Sequence, residues 1–279
     1  MGMSKQGEQR HAWLRALGPD DMPERIELSD GEYRHVRTYK HDFFAATGLY
    51  EGPSGLVILK LGRVVRFLGL PMVWLGRFLA RREYEVYRAV DDLPGVPRCR
   101  GLWGETGFVH DFMVGHPLQR KEKVDAEFFP RLQELILQMH VRDIAYVDLE
   151  KRENILVDEQ GRPGLIDFQI SWRWPAGQKR EGLRRLIPDA VGRYILERLQ
   201  RADLYHLRKH HRRHRREDLT AEEIAASYRT GILISLHRRF IRPLTLLRRA
   251  ILKQLTGRSR SKKQEGAEFL ENQSGPPTA

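Results

Sequence analysis

Three side chains within residues 146–169 (YVDLEKRENILVDEQGRPGLIDFQ) could do chemistry together. Asp148 follows a helix-patterned segment and a short loop. Asn154 opens the apolar run 155–157, and Asp167 closes the run 164–166. The turn Asp158-Glu159-Gln160-Gly161 joins the two runs into a small hairpin. A hairpin that carries Asp, Asn and Asp to one rim suits phosphoryl transfer. One carboxylate receives the proton of an attacking hydroxyl, while the amide oxygen and the second carboxylate hold Mg2+ against a triphosphate. These are hard oxygen ligands, and no Cys/His set points to zinc. Taken singly, Asp148 reads as a helix-loop cap and Asp167 as an ordinary strand end. Only their joint register with Asn154 singles them out.

A fourth group sits upstream. Lys60 lies inside the apolar run 56–61 (LVILKL). A buried ammonium without a partner is costly, so an acid must meet it. Glu83 is expected to do so ahead of Glu85, which falls on a different face of the same helix. A purely structural ion pair is the plain alternative. Lys151 and Arg152 read equally as contacts to a transferred phosphate and as solvated loop charges.

The elements that position these residues follow from the pattern. Residues 33–39, 43–50 and 56–61 read as three short strands of an antiparallel meander, separated by a basic turn at Lys40-His41-Asp42 and the turn 51–55. Residues 76–90 read as a helix with Phe78, Leu79, Val86 and Val90 as its apolar positions, ended by Pro94-Gly95-Val96-Pro97. Residues 108–113 form a further strand before Gly115. Asp125 is expected to cap a long helix that runs to Val141, with Phe128, Phe129, Leu132, Leu135, Ile136 and Met139 inward. From Pro188 onward the pattern is helical.

These elements predict an α+β fold of two lobes, a small antiparallel β lobe over about 30–110 and a larger, mainly helical lobe over about 115–258. Residues 1–29 read as an extension with at most one short helix, and 259–279 as a disordered tail. A composition of 41% apolar and 31% charged residues supports a packed core. Among 279 residues the formal charge is +12, and residues 201–260 alone hold sixteen Lys or Arg against five Asp or Glu. That surplus suggests an anionic partner. The single cysteine, Cys99, excludes an intramolecular disulfide. The first nineteen residues lack the apolar core of a secretory signal. Arg66, Pro71 and Arg77 interrupt the apolar stretch 64–80, which is short of a membrane span. A cytoplasmic protein is expected, with peripheral membrane contact as an option.

With these residues in view, the chain resembles the protein-kinase-like superfamily. Tyr146-Val147-Asp148, Asn154 and Asp167-Phe168-Gln169 look like its catalytic loop and metal-binding motif. Lys60 resembles the strand lysine that holds nucleotide phosphates, and Glu83 its helix partner. Residues 108–115 look like the strand and hinge that meet adenine, which would make Asp111 and Met113 cofactor contacts. The resemblance implies ATP and Mg2+, with ATP in a cleft between lobes, Lys60, Glu83 and Asp148 in the catalytic set, and Asn154 and Asp167 as metal ligands. Several features depart from the usual pattern. Asp148 to Asn154 is six steps rather than five. Tyr146 and Val147 replace His and Arg, and Gln169 replaces Gly. No Ala-Pro-Glu follows, and Lys40-His41-Asp42 stands in place of a glycine-rich loop, where Lys40 could contact phosphate. These departures resemble the compact atypical branch, the RIO-type kinases and the bacterial lipopolysaccharide-core (Kdo/heptose) kinases.

Two acceptors stay open, a protein Ser/Thr and a glycolipid or saccharide hydroxyl. An inactive pseudokinase or a basic scaffold is the alternative of a different class; nucleic-acid binding by 201–260 ranks lower, because no reading motif accompanies the charge. Phe240, Leu244, Leu247, Ile251 and Leu255 against Arg239, Arg242, Arg249 and Lys253 make a helix that could lie on an anionic membrane or pack on the domain. His206, His210, His211 and His214 invite a metal reading, but the interleaved cations favour an anion-binding or solvated helix. Trp172 and Trp174 read as packing ahead of an acceptor site.

Overall fold

The computed structural model describes residues 12–67, 69–177 and 186–228. The fold is α+β. Two compact units divide it, one running to Asp92 and from Pro97 to Met113, the other comprising Leu93–Val96 and the chain from Val114.

The first unit is built on strands β1 (Arg25–Leu28), β2 (Gly31–His41), β3 (Ala45–Gly52) and β4 (Gly55–Gly62), helix α1 (Val73–Ala89), and strands β5 (Cys99–Trp103) and β6 (Gly107–Asp111). The strands form one antiparallel sheet in the order β1-β2-β3-β4-β6-β5. Alternation places Tyr33, Tyr50, Val57, Leu59 and Val109 in a common core. The meander expected from the sequence is present. β1 lies within the stretch expected to be an extension, and β5 was not expected. Both are short edge strands, recognisable only by the neighbour they pair with. A second correction concerns α1. Its buried stripe is Gly76, Ala80, Glu83, Val86 and Tyr87, whereas Phe78, read as inward, is exposed.

Arg63 was not singled out in the sequence, yet it is completely buried. Its guanidinium donates to the carbonyls of Trp13, Arg15, Phe43, Val65 and Arg66 and lies over the Phe43 ring, 4.0 Å from its centroid. One planar cation thereby ties residues 13–15 to the β2–β3 turn and to the loop after β4.

The second unit contains β7 (His116–Pro117), α2 (Phe128–Val141), β8 (Ile144–Ala145), β9 (Ile155–Val157), β10 (Pro163–Leu165), β11 (Trp172–Arg173), α3 (Asp189–His214) and α4 (Ala221–Ala226). β9 and β10 are the expected hairpin, extended by β7, and β8 pairs with β11. Phe128, Phe129, Leu132, Leu135, Ile136 and Met139 bury one face of α2. Asp125 does not cap that helix. Its carboxylate accepts the N–H of Glu127, and Glu127, directly before Phe128, occupies the cap position. Among the described residues, no helix is long and apolar enough to cross a membrane. The expected amphipathic helix around 240–255 and the tail 259–279 lie outside the described residues.

Candidate active site

In the sheet unit, β4 presents Lys60 opposite Thr47 of β3 and Phe108 of β6. Its ammonium donates to Glu83 Oε1 at 2.8 Å. The side chains are 13% and 3% exposed, so this is a buried pair rather than a surface one. Glu83 reaches Lys60 because it lies on the inward stripe of α1; Glu85 is exposed. Lys60→Met is expected to destabilise the fold by about 3 kcal/mol by leaving the buried acid without this cation. The double variant Lys60→Met/Glu83→Leu should recover most of the loss. Denaturant midpoints across the double-mutant cycle measure both effects.

The turn that stands in place of a glycine-rich loop differs from its expected form. Lys40 and His41 belong to β2, and the turn proper begins at Asp42. The Asp42 carboxylate accepts the N–H groups of Phe44 and Ala45 at 2.8 and 3.0 Å, and Lys40 Nζ lies 2.7 Å from its second oxygen. Burial opposes this charge, but Lys40 and the two N–H groups outweigh it and hold the carboxyl below the usual aspartate value. The Phe44 and Ala45 N–H groups of this turn are thus already bonded to an internal anion, and the Lys40 ammonium is paired with the same carboxylate. Asp111, at the end of β6, pairs with Arg100 through its side chain, and its N–H donates to Arg98 O at 2.8 Å. Met113 is half-buried at the end of this unit.

In the helical unit, the six-step spacing is accommodated by a 3-10 turn, Arg152–Asn154, immediately before β9. That turn brings Asn154 Nδ2 to Asp148 Oδ2 at 2.9 Å, while Lys151 Nζ donates to the same oxygen at 2.6 Å. Asp148 and Asn154 are both buried, whereas the Lys151 side chain is more than half exposed. Burial is the main force on Asp148 and pushes its pKa up, the Asp167 charge adds to this, and Lys151 and Asn154 work the other way. A carboxylate whose basicity is raised in this way suits a proton acceptor.

Asp167 follows β10 with φ 61°, in the left-handed region that an aspartate tolerates better than most residues. Its neighbours fix it. The Ile166 N–H donates to Asn154 O at 3.2 Å, and the Tyr146 hydroxyl donates to Ile166 O at 2.5 Å. The buried Phe168 ring meets Tyr146 edge-on, with centroids 5.2 Å apart. Tyr146, where the resembled family has His, thus ties the Asp148 loop to the Asp167 segment.

The Asn154 amide donates its N–H to Asp148; its carbonyl oxygen and the Asp167 carboxylate are donors of the hard-oxygen type that Mg2+ takes. Among the described residues, no group of three or more His, Cys, Asp or Glu converges on a metal site. Mg2+ does not need one, because it is held by one or two carboxylates with phosphate and water completing its shell. The residues present fit that ion.

The support beneath this loop comes from residues with no local signal in the sequence. Asp203 on α3 is wholly buried. It accepts from Tyr146 N at 2.7 Å, from Val147 N at 2.8 Å and from His140 Nε2 at 3.1 Å. Val147 has φ 72°, a conformation unfavourable for a β-branched residue that this double acceptor helps hold. His210 Nε2 donates to Leu149 O at 2.8 Å, and Gln200 Nε2 donates to His140 O at 3.0 Å. The available signal was position. Asp203 and His210 fall on the same buried stripe of α3 as Leu196 and Leu207. The expected anion-binding or solvated helix is corrected for this part of the chain. Among its histidines, His206 and His210 are buried and His211 stacks on Phe129. Trp174 is buried and donates to Asp189, and Trp172 stacks on it.

Because Leu149 O takes the Nε2 proton of His210, Nδ1 is the bare nitrogen, and it is buried without a hydrogen-bond partner among the described residues. Burial, with His214, Arg213 and His206 nearby, lowers this pKa to about 4. The unfolded chain binds that proton near pH 6.5, so stability from neutral His210 is complete above that value and is lost as pH falls toward about 4. A denaturant midpoint that drops over this window, with a smaller drop in His210→Gln, is the expected outcome.

No protein-family model and no curated protein matches this chain. Among solved structures, the Rio2 kinase-ADP/Mg2+-phosphoaspartate complex from Chaetomium thermophilum is similar at a TM-score of 0.46 and 16% identity. The match covers 71% of this chain and 61% of that one, so this chain spans under two thirds of its length.

Proposed function

We propose that this protein is an ATP- and Mg2+-dependent phosphotransferase of the protein-kinase-like kind, acting on a hydroxyl acceptor. The observation that carries the reading is the buried Asp148 carboxylate, raised in pKa and bonded to the Asn154 amide and to Lys151. In the helical unit Asp148 accepts or orients the acceptor proton, and Asn154 and Asp167 hold the metal. In the sheet unit Lys60, fixed by Glu83, orients the phosphates. Bound Mg2+ would supply neutralisation of triphosphate charge. Lys151 beside Asp148 places a cation where charge on the transferred group develops.

The acceptor is a protein Ser/Thr or a lipopolysaccharide-type sugar. Incubation with γ-labelled ATP and Mg2+, against a generic protein acceptor in one arm and lipopolysaccharide core in the other, separates the two. Label transfer in one arm that Asp167→Ala abolishes supports the proposal; transfer that survives Asp167→Ala contradicts the assignment. The Asp42 turn supports a second reading, an inactive scaffold, since its Phe44 and Ala45 N–H groups are bonded to an internal carboxylate. Absence of ATP binding at millimolar concentration would select that reading.

A further inference from the structure

Helix α1 buries small residues and exposes large ones in its first turns. Gly76 faces β4 so closely that a Cβ there would stand 2.3 Å from Arg63 O. The opposite face carries Trp74 and Phe78, 63% and 52% exposed. An amphipathic helix that serves only its own core has the reverse arrangement. The exposed apolar surface continues along the chain. Phe67 and Leu70 bond each other's backbones in a tight turn through Gly69 (φ 80°), with Leu70 65% exposed. Trp13 stacks on Phe67, with centroids 5.8 Å apart, and Val64 is exposed beside them in sequence. Scattered exposed apolar residues are ordinary, but a run of this kind marks an interaction surface.

The charges around it indicate the partner. No acidic residue occurs between Glu51 and Glu83. Arg66, Arg77 and Arg81 are exposed within that span, and Arg77 also meets Glu105. Tryptophan, leucine and phenylalanine interspersed with arginine suit the boundary between lipid headgroups and acyl chains, where the rings enter and the guanidinium groups meet phosphates.

We propose that residues 64–67 and 69–78 dock this protein on the surface of an anionic phospholipid bilayer, inserting Leu70, Trp74 and Phe78 without spanning it. The surface contains none of the residues assigned to phosphoryl transfer, so the two readings stand or fall separately. The full-length protein is expected to cosediment with phosphatidylglycerol/phosphatidylcholine vesicles at low salt and to be released by high salt. Pure phosphatidylcholine vesicles should bind at least about tenfold less, as should Leu70→Ser/Trp74→Ser/Phe78→Ser on anionic vesicles, given the area each side chain loses from contact. That variant should keep its thermal unfolding and Mg2+-dependent ATP binding. Brominated lipid should quench tryptophan emission in the wild type and much less in Trp74→Phe, which distinguishes insertion here from attachment through basic residues elsewhere. Three results would overturn the proposal: no binding to anionic vesicles at low salt, binding unaltered by the triple variant, or self-association abolished by that variant without vesicle binding, which would make the surface an interface between copies.

Discussion

Asp203→Ala is expected to lower folding stability by about 3–5 kcal/mol and phosphoryl transfer by about a hundredfold or more. The substitution leaves the N–H groups of Tyr146 and Val147 and the His140 ring without the carboxylate that now accepts from all three. A buried donor deprived of its acceptor loses the full desolvation energy rather than the modest net value of one hydrogen bond. Val147 would then hold its positive φ with less support and relax, moving the adjacent Asp148. Because Asp203 touches no substrate in this account, it is a positioning residue. The loss should fall on kcat more than on KM for ATP, and Asp203→Asn, which keeps one acceptor oxygen, should recover part of both quantities. Denaturant unfolding and steady-state kinetics on the same preparations check this. A variant that is destabilised yet keeps its kcat would separate folding from loop position and refute the positioning role.

Asp148→Asn should show the opposite pairing of effects, activity down by about a hundred- to ten-thousandfold and stability up. Burial, the largest influence, and the Asp167 charge hold the Asp148 pKa above its ordinary value of 3.8. A carboxyl raised in this way favours folding below pH 3.8, and that contribution is lost as pH rises through the shifted value. At neutral pH the native protein therefore carries a charge that its surroundings disfavour, and the neutral amide removes it. Lys151 is largely solvated and tolerates the loss of its partner. The melting temperature should rise while turnover falls. Since Lys151 lowers the Asp148 pKa, Lys151→Gln should move the acidic limb of the rate profile to higher pH. A limb that stays in place would exclude Asp148 as the titrating base.

Legibility in the sequence followed the range of the interactions. The meander, α2, the β9–β10 hairpin and the pairing of Lys60 with Glu83 rather than Glu85 were readable, because each rests on periodicity or on an unfavourable buried charge that demands a nearby partner. The additional step between Asp148 and Asn154 could be counted, but not its consequence. The 3-10 turn that accommodates it preserves the contact between the two side chains. What escaped notice depends on distant chain. Asp203 lies 57 residues from the Tyr146 N–H it accepts. Arg63 looked like any loop cation until five carbonyls from three segments converged on it. Apolar character points Phe78 inward, whereas the close approach of Gly76 to Arg63 turns it outward. The basic composition of α3 obscures a buried stripe that supports the loop carrying Asp148.

Calorimetric titration of ATP into the wild type, with and without Mg2+, and into Asp167→Ala and Asn154→Ala tests the central claim most directly. The expected result is binding that Mg2+ strengthens in the wild type and that loses its Mg2+ dependence in both variants. Binding equal with and without Mg2+, or a Mg2+ effect unchanged by both substitutions, would contradict the assignment of Asn154 and Asp167 and with it the phosphotransfer site.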